Sequence, residues 1–133
     1  MFFLGKKPNG KAVVRTTSTA RGQVAEAQAL TYLQAQGLRL LARNYRTPGR
    51  GGGEIDLILQ ESDGTVVFVE VRSRSSGAFG GAGGSIDAAK CQRIVRAAQY
   101  WLCHHGATMG CRFDVVLIER GQLQWLRAAF EAV

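Results

Sequence analysis

Apolar residues recur every three or four positions in two segments of the chain, and this spacing predicts two amphipathic helices. The first begins at residue 19 or 20 and ends at Gln36, with Gly37 as its C-terminal stop. The second begins near Ser85, whose hydroxyl can serve as N-cap, and ends at about His105. The pattern between and after these segments differs and predicts strands.

Five shorter segments are rich in apolar and β-branched residues and predict strands over residues 38–45, 54–60, 65–72, 111–119 and 122–126. The turn residues 62–64 indicate that the second and third strands form a hairpin. The order is α-β-β-β-α-β-β, without an internal repeat. We therefore expect one α/β domain over residues 19–133, with a central mixed β-sheet flanked by helices, preceded by a flexible basic arm at residues 1–18.

Composition narrows the class of protein. The chain has 133 residues, which suits one hydrophobic core. The longest apolar run, residues 66–69, is far shorter than the roughly 18 residues of a membrane span. Apolar residues precede basic ones at the start of the chain, the reverse of a secretory signal, so we expect a cytoplasmic protein. The three cysteines lack C-x-x-C spacing, which argues against a disulfide framework and a zinc site.

The net charge of +7 and the pI of about 9.9 suggest a polyanionic partner, with nucleic acid favoured over a membrane. Residues 1–21 carry +5 of this charge, so the rest of the chain is only weakly basic. Most of the 17 basic residues are arginines. Arginine binds phosphate through two parallel hydrogen bonds, which favours phosphate contacts.

Three acidic residues lie within the second and third of these apolar strand segments: Glu54, Asp56 and Glu70. A carboxylate at such a position is costly unless it has a partner or binds a cation. A solvated strand edge is the simpler explanation for Glu54 alone. For Asp56 and Glu70, the answer depends on how the two strands pair.

The loop between these strands decides whether the two acids face each other. A two-residue Asp63-Gly64 turn would place Asp56 opposite Val71 and send the two acids to different faces. A three-residue loop, with Gly64 in the left-handed conformation, would place Asp56 directly opposite Glu70, with Cβ atoms about 5 Å apart. Carboxylates this close repel each other, and a shared proton or a divalent cation relieves the repulsion. We favour the cation.

Two further side chains point toward this region. Arg72 follows the second acid by two residues and emerges on the same face of its strand. Glu26 lies on the apolar stripe of the first helix, where a carboxylate needs a partner. It either closes the acidic site or forms a salt bridge with Arg21 or a basic strand residue. Asp114, inside another apolar strand, presents the same choice between a site role and a structural one.

An ordered set of motifs resembles the YraN-like family of small bacterial proteins, over roughly residues 19–130. In chain order the motifs are Glu26, Gly53-Glu54-Ile55-Asp56-Leu57-Ile58, Val67-Phe68-Val69-Glu70-Val71-Arg72-Ser73-Arg74, Lys90 with Arg93-Ile94, and Arg112-Phe113-Asp114-Val115-Val116. That family is similar to archaeal Holliday-junction resolvases and to the wider PD-(D/E)XK nuclease superfamily. The resemblance implies a restriction-endonuclease-like core.

The resemblance also implies a metal site. It makes Asp56 and Glu70 the metal carboxylates, Val71 a ligand through its backbone carbonyl, and Glu26 a helical acid and further candidate ligand. The implied cofactor is Mg²⁺ or Mn²⁺. The implied activity is hydrolysis of DNA phosphodiesters, with metal-activated water as the nucleophile.

Arg72 departs from the pattern of the PD-(D/E)XK nucleases, in which a lysine at this position helps to orient or activate the attacking water. A guanidinium group does not act as a base in proteins, so an arginine at this position can hold a phosphate but cannot accept a proton. We expect Lys90, at the start of the second helix, to supply the ammonium group instead. The catalytic candidates are therefore Glu26, Asp56, Glu70, Arg72 and Lys90.

The expected partner is nucleic acid, DNA more than RNA, bound through its backbone. The candidate binding residues are Arg43, Arg46, Arg50, Arg74, Arg93 and Arg96. A branched substrate and a homodimer follow by analogy with resolvases. Two alternatives to an endonuclease stay open: a non-catalytic nucleic-acid-binding module of the same fold, and a protein-interaction scaffold.

Overall fold

The computed structural model describes residues 18–49, 52–74, 86–105 and 110–132. These residues form two helices and five strands: α1 (Ser18–Ala35), β1 (Arg39–Arg46), β2 (Glu54–Gln60), β3 (Val66–Arg74), α2 (Ala88–His105), β4 (Cys111–Glu119) and β5 (Gln122–Phe130). The predicted order of elements is confirmed. Apart from Ser18, which begins α1, the predicted basic arm lies outside the described residues, as do Arg50 and the N-cap candidate Ser85.

The five strands form one sheet in the order β1-β2-β3-β4-β5. Neighbouring strands are antiparallel except β3 and β4, which are parallel, so the sheet is mixed. Parallel neighbours need a long crossover between them, and α2 lies in that connection. The predicted α/β class and mixed sheet are confirmed, and the arrangement is consistent with a restriction-endonuclease-like core. Neither helix of the described residues is long and apolar enough to cross a membrane.

Each helix covers its own set of sheet residues. On the α1 side, the buried cluster includes Ala25, Ala29, Leu33, Leu57, Val67, Val69 and Val116. On the α2 side, it includes Ile58, Phe68, Ile94, Ala97, Ala98, Trp101 and Phe113. Since side chains alternate along a strand, Glu70, two residues after Phe68, belongs to the α2 side of β3.

The buried stripe of α2 differs in part from the predicted one. The spacing of apolar residues in the sequence predicts a stripe of Cys91, Ile94, Val95, Ala98 and Leu102. Ile94 and Ala98 are buried, but Ala97 and Trp101 complete the stripe, while the other three expected residues are only partly buried. Trp101 packs edge-on against Phe68, and this tertiary contact rotates the buried face toward Trp101. The side chain of Asp87 caps the helix by accepting a hydrogen bond of 2.8 Å from the Lys90 amide.

The hairpin between β2 and β3 has the three-residue loop. The Glu61 amide donates to the Thr65 carbonyl and the Gly64 amide donates to the Glu61 carbonyl, both at 2.9 Å. Gly64 adopts φ 96°, a left-handed conformation that glycine accepts without strain. Gln60 consequently pairs with Val66, and the alternative two-residue turn is wrong.

Asp114 has a structural role. The residue is fully buried, and its carboxylate accepts hydrogen bonds from the Arg112 guanidinium, the Trp125 indole at 2.9 Å and the Ala128 amide at 2.9 Å. The last bond lies where the register of β4 and β5 shifts, and Ala128 has φ 51° there. Beyond this bulge β5 continues to Phe130, which pairs and stacks with Phe113, so the strand is longer than predicted.

Candidate carboxylate site

Asp56 and Glu70 lie on neighbouring strands. The register pairs Leu57 with Val69, and one further step places Asp56 opposite Glu70. Glu70 is 6% exposed, and Asp56 is partly buried. One oxygen of Asp56, Oδ2, accepts a hydrogen bond of 2.8 Å from the Val71 amide, which fixes this carboxylate beside β3.

The two carboxylates are destabilised in their charged forms. Burial, followed by the negative charge of Asp56, raises the pKa of Glu70 to about 7, against the opposing effects of Lys90 and Arg72. Burial also raises the pKa of Asp56, although the hydrogen bond from Val71 and the charge of Lys90 lower it in part. A nearby positive charge stabilises the charged forms of such a pair.

Two cationic side chains contact Glu70. The Lys90 ammonium lies 3.5 Å from Glu70 Oε2, and the Arg72 guanidinium lies 3.8 Å from the same oxygen. Lys90 comes from the first turn of α2, and Arg72 from the same strand as Glu70. The structure therefore brings together the lysine and the arginine that the sequence separates by 18 positions.

Glu26 reaches the same region from α1. Burial and the Asp56 carboxylate raise the pKa of Glu26, while the Asn44 side chain and the charge of Arg43 lower it. Its Oε1 atom is buried and has no hydrogen-bond partner among the described residues. Glu26 is thus the acid from the first helix that lies near Asp56, with one oxygen available for a ligand.

Asn44 is a residue that sequence reasoning missed. The pairing of Arg43 with Leu57 and of Tyr45 with Ile55 places Asn44 opposite Asp56. It has φ 49°, unusual within a strand but tolerated better by asparagine than by most residues. An asparagine interrupting an apolar strand pattern was the available signal, and it is weak without a structure.

The start of β2 packs against the backbone of α2. A Cβ atom added to Gly53 would lie 2.3 Å from the Arg93 carbonyl oxygen and 2.8 Å from the Arg93 carbonyl carbon. Thr47 holds Gly53 from another direction, because its hydroxyl accepts a bond of 3.0 Å from the Gly53 amide and its own amide donates to the Gly53 carbonyl at 3.2 Å. This contact joins the strand that carries Asp56 to the helix that carries Lys90.

The predicted nucleic-acid-binding arginines within the described residues lie on β1, β3 and α2, and their side chains differ in exposure. Arg43 and Arg46 are exposed on β1, and Arg46 forms a surface ion pair of 3.5 Å with Glu54. Arg74 is partly buried at the end of β3. Arg93 and Arg96 are exposed on α2, one and two turns after Lys90.

The side chains present fit a cation that keeps part of its water shell. In the described ranges, no group of three or more Asp, Glu, His or Cys side chains is placed so that it could hold a metal ion by itself. The protein would offer the carboxylates of Asp56 and Glu70, and the Glu26 Oε1 atom has no other partner there. Oxygen-only donors few in number suit Mg²⁺, which commonly binds one or two carboxylates and retains several waters.

Fold and site together define an α/β protein whose mixed sheet places a carboxylate pair, one member buried and one partly buried, beside a lysine and an arginine. The chain belongs to the family described as Uncharacterised protein family UPF0102, whose model matches residues 25–118. This confirms the resemblance to the YraN-like family. A UPF0102 protein of Acidovorax sp. (strain JS42) is 65% identical over 132 residues, covering 99% of each chain. A UPF0102 protein of Paracidovorax citrulli (strain AAC00-1) is 63% identical over 134 residues, also covering 99% of each.

A solved structure described as the crystal structure of SSO0001 is similar to this chain with a TM-score of 0.44 and 14% sequence identity. The similarity covers 85% of this chain and 52% of that one, so this chain spans about half of its length.

Proposed function

We propose that this protein is a metal-dependent endonuclease that hydrolyses DNA phosphodiesters. The observation that carries the proposal is the pairing of the partly buried Asp56 with the buried Glu70, two acids on adjacent strands with raised pKa values. Two neighbouring carboxylates that are both ionised repel each other and lower the stability of the folded protein, and a bound divalent cation relieves this repulsion. The proposed cation is Mg²⁺ or Mn²⁺, in a cytoplasmic protein.

Each residue of the site has its own proposed role in phosphodiester hydrolysis. Asp56 and Glu70 would hold the cation, with the Val71 carbonyl and Glu26 as further candidate ligands. When bound, the cation activates water and neutralises charge on the phosphate. Lys90, next to Glu70, orients the attacking water and adds positive charge where the transition state gains negative charge. Arg72 holds a non-bridging phosphate oxygen through its guanidinium group.

Substrate binding in this proposal uses the phosphate backbone. Arg93 and Arg96 extend the positive charge of Lys90 along α2, and Arg43 and Arg46 provide exposed guanidinium groups on β1. Such contacts position a nucleic acid without identifying its sequence. We therefore propose recognition of DNA shape, with branched DNA as the preferred substrate, and treat a homodimer as part of the same hypothesis.

A non-catalytic nucleic-acid-binding module is the second candidate. One observation favours it: both cations near the pair, Lys90 and Arg72, already contact Glu70, and Arg72 occupies the position where the nucleases have lysine. Two side-chain cations can partly replace a metal ion in balancing the acids. In that case the arginines would bind nucleic acid and no bond would be cleaved.

The deciding experiment incubates the purified protein with labelled duplex, flap and four-way-junction DNA, in Mg²⁺, Mn²⁺ or EDTA. Asp56→Asn and Glu70→Gln test the carboxylates without changing their size. Glu131→Gln is the matched control, because Glu131 is exposed and far along the chain from the pair. Lys90→Ala tests the proposed ammonium group.

We expect metal-dependent cleavage that falls at least about 100-fold in Asp56→Asn, Glu70→Gln and Lys90→Ala and is unchanged in Glu131→Gln. Cleavage that persists in Lys90→Ala would refute the role of Lys90 and leave the proposed nuclease activity standing. Salt-sensitive DNA binding with no cleavage by the wild-type protein would refute the nuclease and support the binding module. The absence of both cleavage and binding would leave the protein-interaction scaffold as the remaining candidate function.

A further inference from the structure

The contact between Gly53 and α2 lies away from the carboxylates, yet it joins the two elements that meet at the site. Gly53 is three residues before Asp56, and Arg93 is one helical turn after Lys90. A Cβ at position 53 would meet backbone atoms of Arg93 at 2.3 and 2.8 Å, well inside the 3.0 Å that real Cβ contacts respect. Backbone atoms cannot rotate away as a flexible side chain does.

The strand cannot easily yield to relieve such a clash. Thr47 holds both the amide and the carbonyl of Gly53, and a Cβ on the preceding Gly52 would itself collide with Thr47. Immediately after Gly53, β2 is paired with β1, with Glu54 opposite Arg46. An added methyl group therefore displaces α2 and not the strand.

The far end of α2 is more firmly packed than its start. Ala97, Ala98 and Trp101 are buried, and Trp101 packs against Phe68, whereas Lys90 is partly exposed. A helix pushed at Arg93 and held at Trp101 moves its first turn away from the sheet. The Lys90 ammonium lies 3.5 Å from Glu70, already farther than in a short charged hydrogen bond, so a shift of about 1 Å away from the sheet weakens this contact.

We propose that Gly53 is a positioning residue: the absence of its side chain lets α2 approach β2 closely enough for Lys90 to reach Glu70. This inference rests on the proposed function for its consequence in catalysis, but the contact itself is independent of any activity. A side chain at this position would leave every proposed ligand in place and remove only the ammonium group from the pair.

The test compares Gly53→Ala with Gly110→Ala, because both glycines directly precede a strand and a Cβ on Gly110 meets nothing within 4 Å. Single-turnover cleavage and DNA affinity are measured for each variant. We expect Gly53→Ala to lower the cleavage rate about 10- to 100-fold and to lower DNA affinity by a clearly smaller factor, because Arg93 and Arg96 move with α2 but keep their long side chains exposed. Gly110→Ala should leave both quantities within about twofold of wild type.

A second measurement needs no activity. Urea unfolding midpoints of Gly53→Ala, Lys90→Ala and the double variant form a double-mutant cycle. If Gly53 acts through the Lys90–Glu70 contact, Gly53→Ala shifts the midpoint less in the Lys90→Ala protein than in wild type. Should Gly53→Ala fail to fold, Thr47→Val replaces it in both experiments: without the hydroxyl that holds Gly53, the start of β2 can move away from Arg93, and we expect smaller losses in the same direction.

An unchanged cleavage rate, an equal loss of DNA affinity and rate, or additive midpoint shifts would each overturn the positioning role. A wild-type protein that does not cleave DNA refutes the proposed nuclease. In that event the unfolding cycle still decides whether Gly53 sets the Lys90–Glu70 contact.

Discussion

Replacing Glu70 with glutamine should stabilise the protein at neutral and higher pH. Burial and the Asp56 carboxylate raise the pKa of Glu70 from 4.5 to about 7. In the unfolded chain the same group titrates at its ordinary value. Between these two pH values the unfolded protein releases a proton that the folded protein keeps, so stability falls as pH rises through this window. Glutamine has the shape of the protonated acid and does not ionise.

The magnitude follows from the size of the shift. Each pH unit between the two pKa values corresponds to about 1.4 kcal/mol, so ionised Glu70 costs the folded state up to about 3 kcal/mol above pH 7. Below pH 4.5 the group is protonated in both states and the cost disappears. We therefore expect Glu70→Gln to exceed wild type by up to about 3 kcal/mol at pH 8 and to match it at pH 4.5.

Urea unfolding followed at pH 4.5, 6 and 8 measures this difference. Glu131→Gln, an exposed carboxylate replaced in the same way, should change the free energy of unfolding by less than about 0.5 kcal/mol at each pH. Addition of Mg²⁺ at pH 8 should stabilise wild type and not Glu70→Gln, because the variant lacks one of the two ligands. Wild type as stable as the variant at pH 8 without metal would refute the destabilised carboxylate.

Other parts of the fold give further expectations. Asp114→Ala leaves the Trp125 indole and a backbone amide without their buried acceptor and should lower the free energy of unfolding by about 3 kcal/mol or more, measured by urea unfolding; a loss below about 1 kcal/mol would contradict this role. Asp87→Ala removes the cap of α2 and should cost about 1 kcal/mol in the same assay, and an unchanged midpoint would argue against the cap. Arg93→Ala and Arg96→Ala should each weaken DNA binding and reduce the slope of log affinity against log salt by about 1; an unchanged slope would exclude phosphate contact.

Sequence reasoning located the elements well where local pattern decides them. The bounds of β2 and β4 are as predicted, since each strand is a mainly apolar segment flanked by turn or polar residues. The same holds for the β2–β3 loop, because Gly64 supplies the left-handed conformation that a three-residue connection needs. That local choice fixed the pairing of Asp56 with Glu70.

Features that depend on contacts between residues far apart in the chain could not be predicted from the sequence. The role of Asp114 is decided by Trp125 and Ala128 on the neighbouring strand, and the length of β5 by the stacking of Phe130 on Phe113. Asn44 joins the site through its φ and its position opposite Asp56, neither of which a strand pattern displays. The close approach of Gly53 to α2 likewise exists only once the helix crosses the sheet.

The two tryptophans of the chain provide separate optical reporters for its two layers. Trp101 belongs to the cluster beneath α2, while Trp125 packs against the cluster beneath α1, with the Arg127 guanidinium 4.1 Å from its ring centroid. Single Trp→Phe variants would therefore show by fluorescence whether the clusters beneath α1 and beneath α2 unfold together or one after the other. Quenching confined to Trp101 would report an event at the layer that carries Lys90, without any label attached to the protein.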